Sequence, residues 1–535
     1  MRPVRITRLA LAFCFVVAAC GGQASSPTPV PPTAAPGPPA AAHSPTAVPA
    51  AAAPAGPPTA PSPASGTPDG AATPAIGAAT RSAPASPTAG SGPTGPTAAA
   101  SPAVGSALPA TPPIAQTASA DWPTYHRDLA RTGVAVGPAV PASARGLWTS
   151  PQLDGDVYAE PLVVGSRLLV ATEGDSLYAL DAGDGHVLWR THLGEPVPRA
   201  VMPCGNIDPV GITSTPVVDP AAGVLYAVAY LQPPHHELYA VDAATGDVRY
   251  HQPIDPPGAD PLTHLQRASL TLSRGNVYVG FGGRFGDCGQ YHGWVLAARA
   301  SDGARVATYQ VPTRREGAIW APPGPTVDAA GNVWVATGNA DSTEFDYGDA
   351  VIKLSPELRP LDWFAPSNWR ELSARDLDLG STSPVLLDGG LVFQVGKAGT
   401  GYLLKADDLG HEGGQAFSAP VCAGTGAYGG VAYAAPMLYV PCRSGLVALK
   451  VQGTSFSVVW TGPGFNTGSP VVAGDTVWVI DQSTGTLHGL GAADGQPRQQ
   501  LRAAQPSNNL PHFITPTVVG GRIYVSGGKT IAAFG

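Results

Sequence analysis

Short hydrophobic runs separated by turn residues recur along most of this chain. In residues 157–194, runs rich in Val, Leu, Tyr and Ala are interrupted by GDS and AGDGH, and the last run contains Trp189. Such runs predict short β-strands joined by tight turns. One small sheet has a face that it cannot bury, so a unit of this kind is stable only when copies of it stack.

The pattern recurs at a spacing typical of propeller blades. The predicted units cover residues 157–194, 211–254, 268–311, 320–366, 379–420, 429–463, 467–503 and 513–535. Successive units begin 38 to 59 residues apart, which is within the usual range for blades or slightly above it. The sequence therefore predicts eight blades.

The last predicted unit ends after its third strand. Residues 146–149, GLWT, have the tryptophan-containing pattern of the missing outer strand. Pairing this N-terminal strand with the last unit would close the ring and remove the exposed sheet edges that favour aggregation. We therefore predict an all-β fold, an eight-bladed β-propeller over residues 121–535.

The N-terminus predicts export and lipid attachment. Residues 1–19 contain three arginines followed by a short apolar run, as in a secretory signal peptide. The sequence VAAC that ends at Cys20 resembles the lipobox of bacterial lipoproteins, in which the cysteine is lipidated; an ordinary cleavage site is the alternative. Several acyl chains on Cys20 would hold the protein at a membrane face. The expected location is the bacterial cell surface or the periplasm.

Residues 20–120 consist almost entirely of Pro, Ala, Ser, Thr and Gly and contain no aromatic residue. Such a segment cannot bury enough apolar surface to offset the entropy lost on ordering, so we predict a disordered tether. Without the three signal-peptide arginines the formal charge is 27 minus 38, or −11. This balance argues against nucleic acid as a partner, and it leaves the lipid anchor as the predicted membrane contact.

Four cysteines remain in the predicted propeller: Cys204, Cys288, Cys422 and Cys442. An even number in an exported chain favours disulfides, and three pairings are possible. We favour Cys204 with Cys288 and Cys422 with Cys442, because each of these bridges joins neighbouring repeats.

The repeat also resembles a known family. ALDAGDGHVLW at 179–189, with its weaker copy AVDAATGDVRY at 240–250, is similar to the Ala-x-Asp-x-x-Thr-Gly-x-x-x-Trp repeat of pyrroloquinoline quinone (PQQ)-type eight-bladed propellers. That family includes quinoprotein alcohol dehydrogenases and also non-enzymatic relatives, such as the outer-membrane assembly lipoprotein. The resemblance alone leaves open whether this protein is an enzyme.

Non-repeated residues resemble the dehydrogenase branch, and the resemblance implies their roles. Asp378 falls at the position of the catalytic base, and Lys397 at that of the cation that contacts the quinone oxygens. Trp320 corresponds to the residue that stacks on PQQ, and Asn339 to a calcium ligand. The cofactors implied are therefore PQQ and calcium.

The chain also departs from that branch. Arg284 stands where the family has a calcium-binding glutamate, and a cation there would oppose a divalent ion. The adjacent-cysteine pair that lies over the cofactor in the dehydrogenases is absent. Each proposed site residue has a structural alternative: a turn for Asn339, a cap for Asp378, a solvated loop for Lys397 and core packing for Trp320. The acidic run formed by Asp341, Glu344, Asp346 and Asp349 has enough oxygen donors for a calcium loop, but it lacks the EF-hand pattern, so we expect a solvated loop.

Three hypotheses follow for the function. The first is a lipid-anchored propeller whose modified quinoprotein-type pocket binds a small molecule. The second is a non-enzymatic scaffold that binds a protein at the propeller face. The third is an active PQQ-dependent dehydrogenase that acts on an alcohol or a sugar. The convergence or scatter of Trp320, Asn339, Asp378 and Lys397 bears on the choice among them.

Overall fold

The computed structural model describes residues 120–504 and 510–535. Its strands form eight sheets, one for each predicted unit, which confirms the eight-bladed β-propeller. The predicted signal peptide 1–19, the lipidation site Cys20 and nearly all of the linker lie outside the described residues, so they stay predictions. In the described part of the chain, no helix is both long and apolar enough to span a bilayer.

Each blade is a four-stranded antiparallel sheet, and two blades carry a short extra strand. Blade one contains Leu162–Val164, Arg167–Ala171, Ser176–Asp181 and Val187–His192. Blade two contains Val217–Asp219, Val224–Leu231, His235–Asp242 and Val248–Pro253. Blade three contains Thr271–Ser273, Asn276–Gly283, Trp294–Arg299 and Arg305–Gln310, with His264–Leu265 as its extra strand. Blade four contains Thr326–Val327, Val333–Ala336, Val351–Leu354 and Pro360–Ala365, with His411–Glu412 added in parallel.

The remaining four blades follow the same order. Blade five contains Val385–Leu387, Leu391–Val395, Thr400–Lys405 and Phe417–Pro420. Blade six contains Ala432–Ala434, Met437–Cys442, Gly445–Gln452 and Ser455–Thr461. Blade seven contains Val471–Ala473, Thr476–Asp481, Thr486–Gly491 and Pro497–Arg502, and blade eight contains Thr517–Val519, Arg522–Ser526 and Ile531–Phe534. The helical elements of the described residues are Arg199–Val201, Trp369–Ala374 and Leu379–Ser381.

The N-terminal strand Gly146–Thr149 closes the ring as predicted. It pairs antiparallel with the last strand of the chain, with Trp148 opposite Ala533 and Thr149 opposite Ala532. Blade eight therefore has four strands like its neighbours, and the two ends of the propeller sequence are joined by backbone hydrogen bonds.

The glycine and tryptophan of the repeat meet between neighbouring blades. Trp189 of blade one lies against Gly246 in the last turn of blade two, and Trp148 of blade eight lies against Gly185 of blade one. A Cβ at either glycine would lie within 2.7 Å of the tryptophan ring, and both glycines have positive φ. A side chain there would be excluded by the close approach and strained by the backbone.

Residues 122–135 cross one end of the central channel and bind the free edges of first strands. Backbone hydrogen bonds join this segment to five blades. On the blade side they involve Val163 of blade one, Val218 of blade two, Val327 of blade four, Tyr433 of blade six and Val472 of blade seven. We call residues 122–135 the channel plug.

Two buried ionisable side chains fix the channel plug. Arg131, with 2% of its surface exposed, donates to the carbonyl oxygen of Tyr125 over 3.1 Å and to that of Leu270 in blade three over 3.1 Å. Glu160 accepts hydrogen bonds from Trp122 Nε1 over 2.9 Å and from the backbone N–H of His126 over 2.7 Å. Burial raises the pKa of Glu160 to about 8.

Both disulfides favoured from the sequence are present. Cys204 is bonded to Cys288 with a Cα–Cα distance of 6.0 Å, and Cys422 is bonded to Cys442 with a Cα–Cα distance of 5.3 Å. The first joins the segment before blade two to a loop of blade three. The second joins the segment before blade six to the second strand of that blade.

We expect Arg131→Met to lower the free energy of unfolding by about 3 kcal/mol, because several buried hydrogen-bond acceptors would lose their donor. Urea denaturation followed by circular dichroism measures the change. Arg145→Met is the matched control, since Arg145 is exposed. Equal stability of the two variants would show that the channel plug is not held by Arg131.

Candidate functional site

Three residues singled out in the sequence meet at the carboxylate of a fourth, Asp378. Trp320 Nε1 donates a hydrogen bond to Asp378 Oδ2 over 2.9 Å, and Lys397 Nζ lies 2.9 Å from the same oxygen. The backbone N–H of Asn339 donates to Asp378 Oδ1 over 3.0 Å. Asp378 is buried, with 4% of its surface exposed. Residues from blades four and five therefore converge on one carboxylate.

The topology of the blades explains this convergence. Trp320 and Asp378 lie in the segments that lead into the first strands of blades four and five. Asn339 and Lys397 follow the second strands of the same two blades. In an antiparallel sheet, the start of one strand and the end of the next strand lie at the same end of the sheet. We call the face of the ring formed by these loops the site face.

The contacts of two of these residues involve more than a helix cap or a solvated loop. Asp378 precedes the short helix Leu379–Ser381, but its side chain makes no capping hydrogen bond there. Lys397 is not a solvated loop residue, since only 15% of its side chain is exposed and its Nζ lies 2.6 Å from Asp376 Oδ1. Asp378 and Lys397 belong instead to a largely buried charge network.

Lys397 supplies the positive charge of this network. Burial disfavours that charge, but Asp378 and Asp376 outweigh burial and hold the pKa of the Lys397 ammonium above its ordinary value. The ammonium also lies 5.6 Å from the centre of the Trp320 ring, within the range of a cation–π interaction. Lys397 is therefore a fixed cation over the indole.

Glu316, which the sequence analysis missed, faces Asn339. Asn339 Nδ2 donates to Glu316 Oε2 over 3.1 Å, and Arg315 lies 2.7 Å from Glu316 Oε1. Burial raises the pKa of Glu316 to about 7, although Arg315 opposes the shift. The proton occupancy of this carboxyl therefore changes near neutral pH.

Asp287, in a loop of blade three, adds another carboxylate to this region. Tyr291 donates its hydroxyl to Asp287 Oδ1 over 2.5 Å. Burial and the nearby Asp378 raise the pKa of Asp287. Carboxylate and amide oxygens are the ligands that calcium prefers, so Asp287, Glu316 and Asn339 give the site face suitable donors.

Arg284 contacts blade two rather than Asn339. Its Nε donates to the carbonyl oxygen of Leu262 over 2.7 Å, and its guanidinium lies 4.7 Å from the centre of the Tyr230 ring. Only 3% of Arg284 is exposed. The charged group that Asn339 meets is the carboxylate of Glu316.

A recess of the site face is filled by Phe513. The Phe513 ring lies 6.1 Å from the Trp320 ring and stacks on Tyr428 at 5.8 Å. The Arg267 guanidinium lies 4.8 Å from the centre of the Phe513 ring. The recess leaves a cavity of about 10 Å³, which is room for one water molecule. A planar ligand could share this recess only after Phe513 moves.

The prediction that the acidic run 341–349 is a solvated loop is wrong for Asp349. This residue is fully buried, and its carboxylate accepts hydrogen bonds from the backbone N–H of Leu379 and the hydroxyl of Ser373. Asp341, in contrast, is exposed and pairs with Arg314 over 2.8 Å. The end of the run therefore belongs to the interior.

A positional signal could have identified some of the missed residues. Glu316, Arg267 and Phe513 lie in segments that lead into the first strands of blades four, three and eight. Trp320 and Asp378 occupy segments of the same kind. The polar and aromatic residues of such segments are candidates for the site face, even where no motif marks them.

Known proteins similar to this chain include dehydrogenases. The family model described as Outer membrane protein assembly factor BamB, a PQQ-type family, matches residues 135–408, just over half of the chain. A polyvinylalcohol dehydrogenase of Pseudomonas sp is 24% identical, over 70% of this chain and 67% of that protein. Another, from Sphingopyxis sp. strain 113P3, is 26% identical over 40% of this chain and 34% of its own length.

Solved structures share the fold at lower identity. The quinohemoprotein alcohol dehydrogenase from Comamonas testosteroni has a TM-score of 0.59 and 17% identity, covering 78% of this chain and 80% of that one. A europium-containing methanol dehydrogenase has a TM-score of 0.60 and 14% identity, covering 78% of this chain and 98% of that one. At these identities, the similarity establishes the fold alone.

We expect Glu316→Gln to change how stability depends on pH. Because the folded-state pKa of about 7 exceeds the ordinary value of 4.5, the folded protein binds more protons than the unfolded chain between these values. The stability of the wild type should therefore fall as the pH rises through this window, and the variant should lose less. Urea unfolding from about pH 5 to about pH 8 measures both curves. Glu344→Gln is the exposed control, and a wild-type slope in Glu316→Gln would contradict the assignment.

Proposed function

The chain belongs to the family of PQQ-like β-propellers, and on this premise we propose that its site face binds a planar, anionic quinone cofactor and oxidises an alcohol. The observation that carries the proposal is the convergence of Trp320, Asn339 and Lys397 on the carboxylate of Asp378. The two curated relatives, named polyvinylalcohol dehydrogenases, support an alcohol as the substrate class.

The residues around the recess fit the chemistry of such a cofactor. Arg267 lies between the rings of Tyr158 and Phe513, at 5.7 and 4.8 Å, and has no ion-pair partner among the described residues. PQQ carries carboxylates that this guanidinium could bind. Trp320 offers an aromatic face, and Lys397 offers a cation for the quinone oxygens. Phe513 occupies space that the cofactor requires, so binding includes displacement of its ring.

Asp378 is the proposed general base. Its carboxylate is held by two N–H donors and the Lys397 ammonium, so its position is fixed before a substrate arrives. In alcohol oxidation, Asp378 would accept the hydroxyl proton, and Lys397 would stabilise the resulting charge distribution. A bound quinone supplies the two-electron acceptor for the carbon-bound hydrogen.

The oxygen donors near Asn339 also fit a calcium ion. Glu316 lies within hydrogen-bond distance of the Asn339 amide, and Asp378 accepts the Asn339 backbone N–H. Glu316 and Asn339 would hold the ion, and Arg315 would then release Glu316. Bound calcium supplies a Lewis acid that polarises the quinone.

The proposed location is outside the cytoplasm, on a lipid anchor at Cys20. The two disulfides of the propeller support an oxidising compartment. The VAAC sequence supports cleavage and lipidation at the cysteine.

We expect Phe513→Ala to bind PQQ about tenfold more tightly than the wild type, because the ligand no longer has to displace aromatic contacts worth about 1 kcal/mol or more. Quenching of tryptophan fluorescence during titration of the purified protein with PQQ, in the presence of calcium, measures the affinity. Arg267→Met should weaken binding, whereas Arg502→Met on an exposed outer strand should not.

The rate of alcohol oxidation is the second measurement of this test. Asp378→Asn should abolish dye-coupled alcohol oxidation while it changes PQQ affinity by less than about threefold, because a base acts on the substrate. Short polyvinyl alcohol chains and simple secondary alcohols are the substrates to compare. Absence of PQQ binding in both the wild type and Phe513→Ala would favour the alternative, a scaffold that binds proteins without a cofactor.

We expect Cys20→Ala to abolish both lipid labelling and membrane attachment, since the acyl chains would lose their only attachment point. Metabolic labelling with an alkyne fatty acid in a bacterial host, followed by membrane fractionation, measures both. Cys14→Ala, within the signal peptide, is the control. A Cys20→Ala protein that still carries label would contradict the anchor.

A further inference from the structure

The carboxylate of Asp349 lies directly behind the proposed base. Its Oδ1 accepts the backbone N–H of Leu379 over 2.8 Å, and its Oδ2 accepts the Ser373 hydroxyl over 2.7 Å. None of the Asp349 surface is exposed. Leu379 follows Asp378 in the chain, so Asp349 holds the backbone next to the base.

Asp349 also connects this backbone to the segment that carries Asn339, through its own backbone N–H and through Ser373. The Asp349 backbone N–H donates to the carbonyl oxygen of Gly338 over 2.8 Å, and Ser373 Oγ accepts the backbone N–H of Ala340 over 3.2 Å. Gly338 and Ala340 flank Asn339. Asp349 and Ser373 therefore join both segments whose residues meet at the base.

The hydrogen bond from Leu379 does not by itself call for an ionisable group at this position. Burying an ionisable group is costly, and a neutral side chain could accept the Leu379 hydrogen bond. Burial and the nearby carboxylate of Asp378 raise the pKa of Asp349 to about 8, so the site retains a carboxyl at an energetic cost. Costly buried groups of this kind are concentrated at functional sites.

We propose that Asp349 is a positioning residue that holds Asp378 against Trp320 and Lys397. This inference rests on the proposed role of Asp378 as the base. Asp349 would touch neither substrate nor cofactor. It acts through the backbone of Leu379 and through Ser373, which together set the direction of the Asp378 carboxylate.

The test compares Asp349→Ala with Asp349→Asn in the full-length protein. Alanine removes both hydrogen-bond acceptors, whereas asparagine keeps the shape and an acceptor for Leu379. The first readout is the indole N–H cross-peak of Trp320 in a ¹H–¹⁵N spectrum, assigned with Trp320→Phe. We expect Asp349→Ala to shift this peak to the position of an indole without a carboxylate acceptor, and Asp349→Asn to restore it.

The second readout separates kcat from KM. A small displacement of a catalytic group can lower the rate by up to about a hundredfold, so we expect Asp349→Ala to lower kcat at least about tenfold with little change in KM. Asp349→Asn should recover most of the loss. Glu344→Ala, exposed in the same loop, is the control and should leave both readouts unchanged.

A third variant covers the case in which Asp349→Ala does not fold. Ser373→Ala removes one of the two side-chain hydrogen bonds to Asp349 and should shift the Trp320 peak in the same direction. An unchanged Trp320 peak in a folded Asp349→Ala or in Ser373→Ala would overturn the proposal. Because this readout needs neither cofactor nor substrate, a protein that shows the peak shift but oxidises no alcohol would refute only the proposed function.

Discussion

The free inner edges of the blades constrain this structure most. The first strand of each four-stranded blade is an edge strand, so the backbone N–H and C=O groups on its free side have no partner within the sheet. Unpaired backbone groups away from water are costly. The channel plug supplies partners to five blades, and Arg131 and Glu160 keep it in place. A ring of repeats thereby acquires one element that is in contact with most of its members.

The channel plug and the closing strand stabilise the ring, and the candidate functional residues lie in the loops of the site face. The ring brings the segments before first strands and after second strands to a single face, where Asp378 of blade five accepts hydrogen bonds from Trp320 and Asn339 of blade four. Buried carboxylates repel one another, so the carboxylates near Asp378 are stabilised by resident cations and by the raised pKa values of Glu316 and Asp349. Lys397 and Arg315 fill that role in the described structure. A divalent ion would compete with these cations for the same oxygens. Its binding would therefore require Lys397 or Arg315 to give up its ion pair.

Much of the fold could be predicted from the sequence, because each blade repeats one pattern of strands and turns and the tryptophan needs a glycine beside it. Whether Trp320, Asn339, Asp378 and Lys397 converge was left open by the sequence, and the order of their segments in the two blades explains the convergence. Glu316, Arg267 and Phe513 escaped prediction because no repeat or motif marks them. Asp349 was misjudged for a physical reason: its run is rich in charge, and only the three-dimensional path shows that the last member enters the interior.

Phe513 links the site to the question of what the site face binds. A bulky residue at φ +67 is held in an unfavourable backbone conformation, which costs of order 1 kcal/mol or more. Its ring offsets part of that cost through its interactions with Trp320, Tyr428 and Arg267. A flat anionic ligand offers Trp320 and Arg267 the same kinds of interaction and adds charge pairing that a phenyl ring cannot provide. The ring of Phe513 therefore makes, without charge pairing, the kinds of contact with Trp320 and Arg267 that a flat anionic ligand would make.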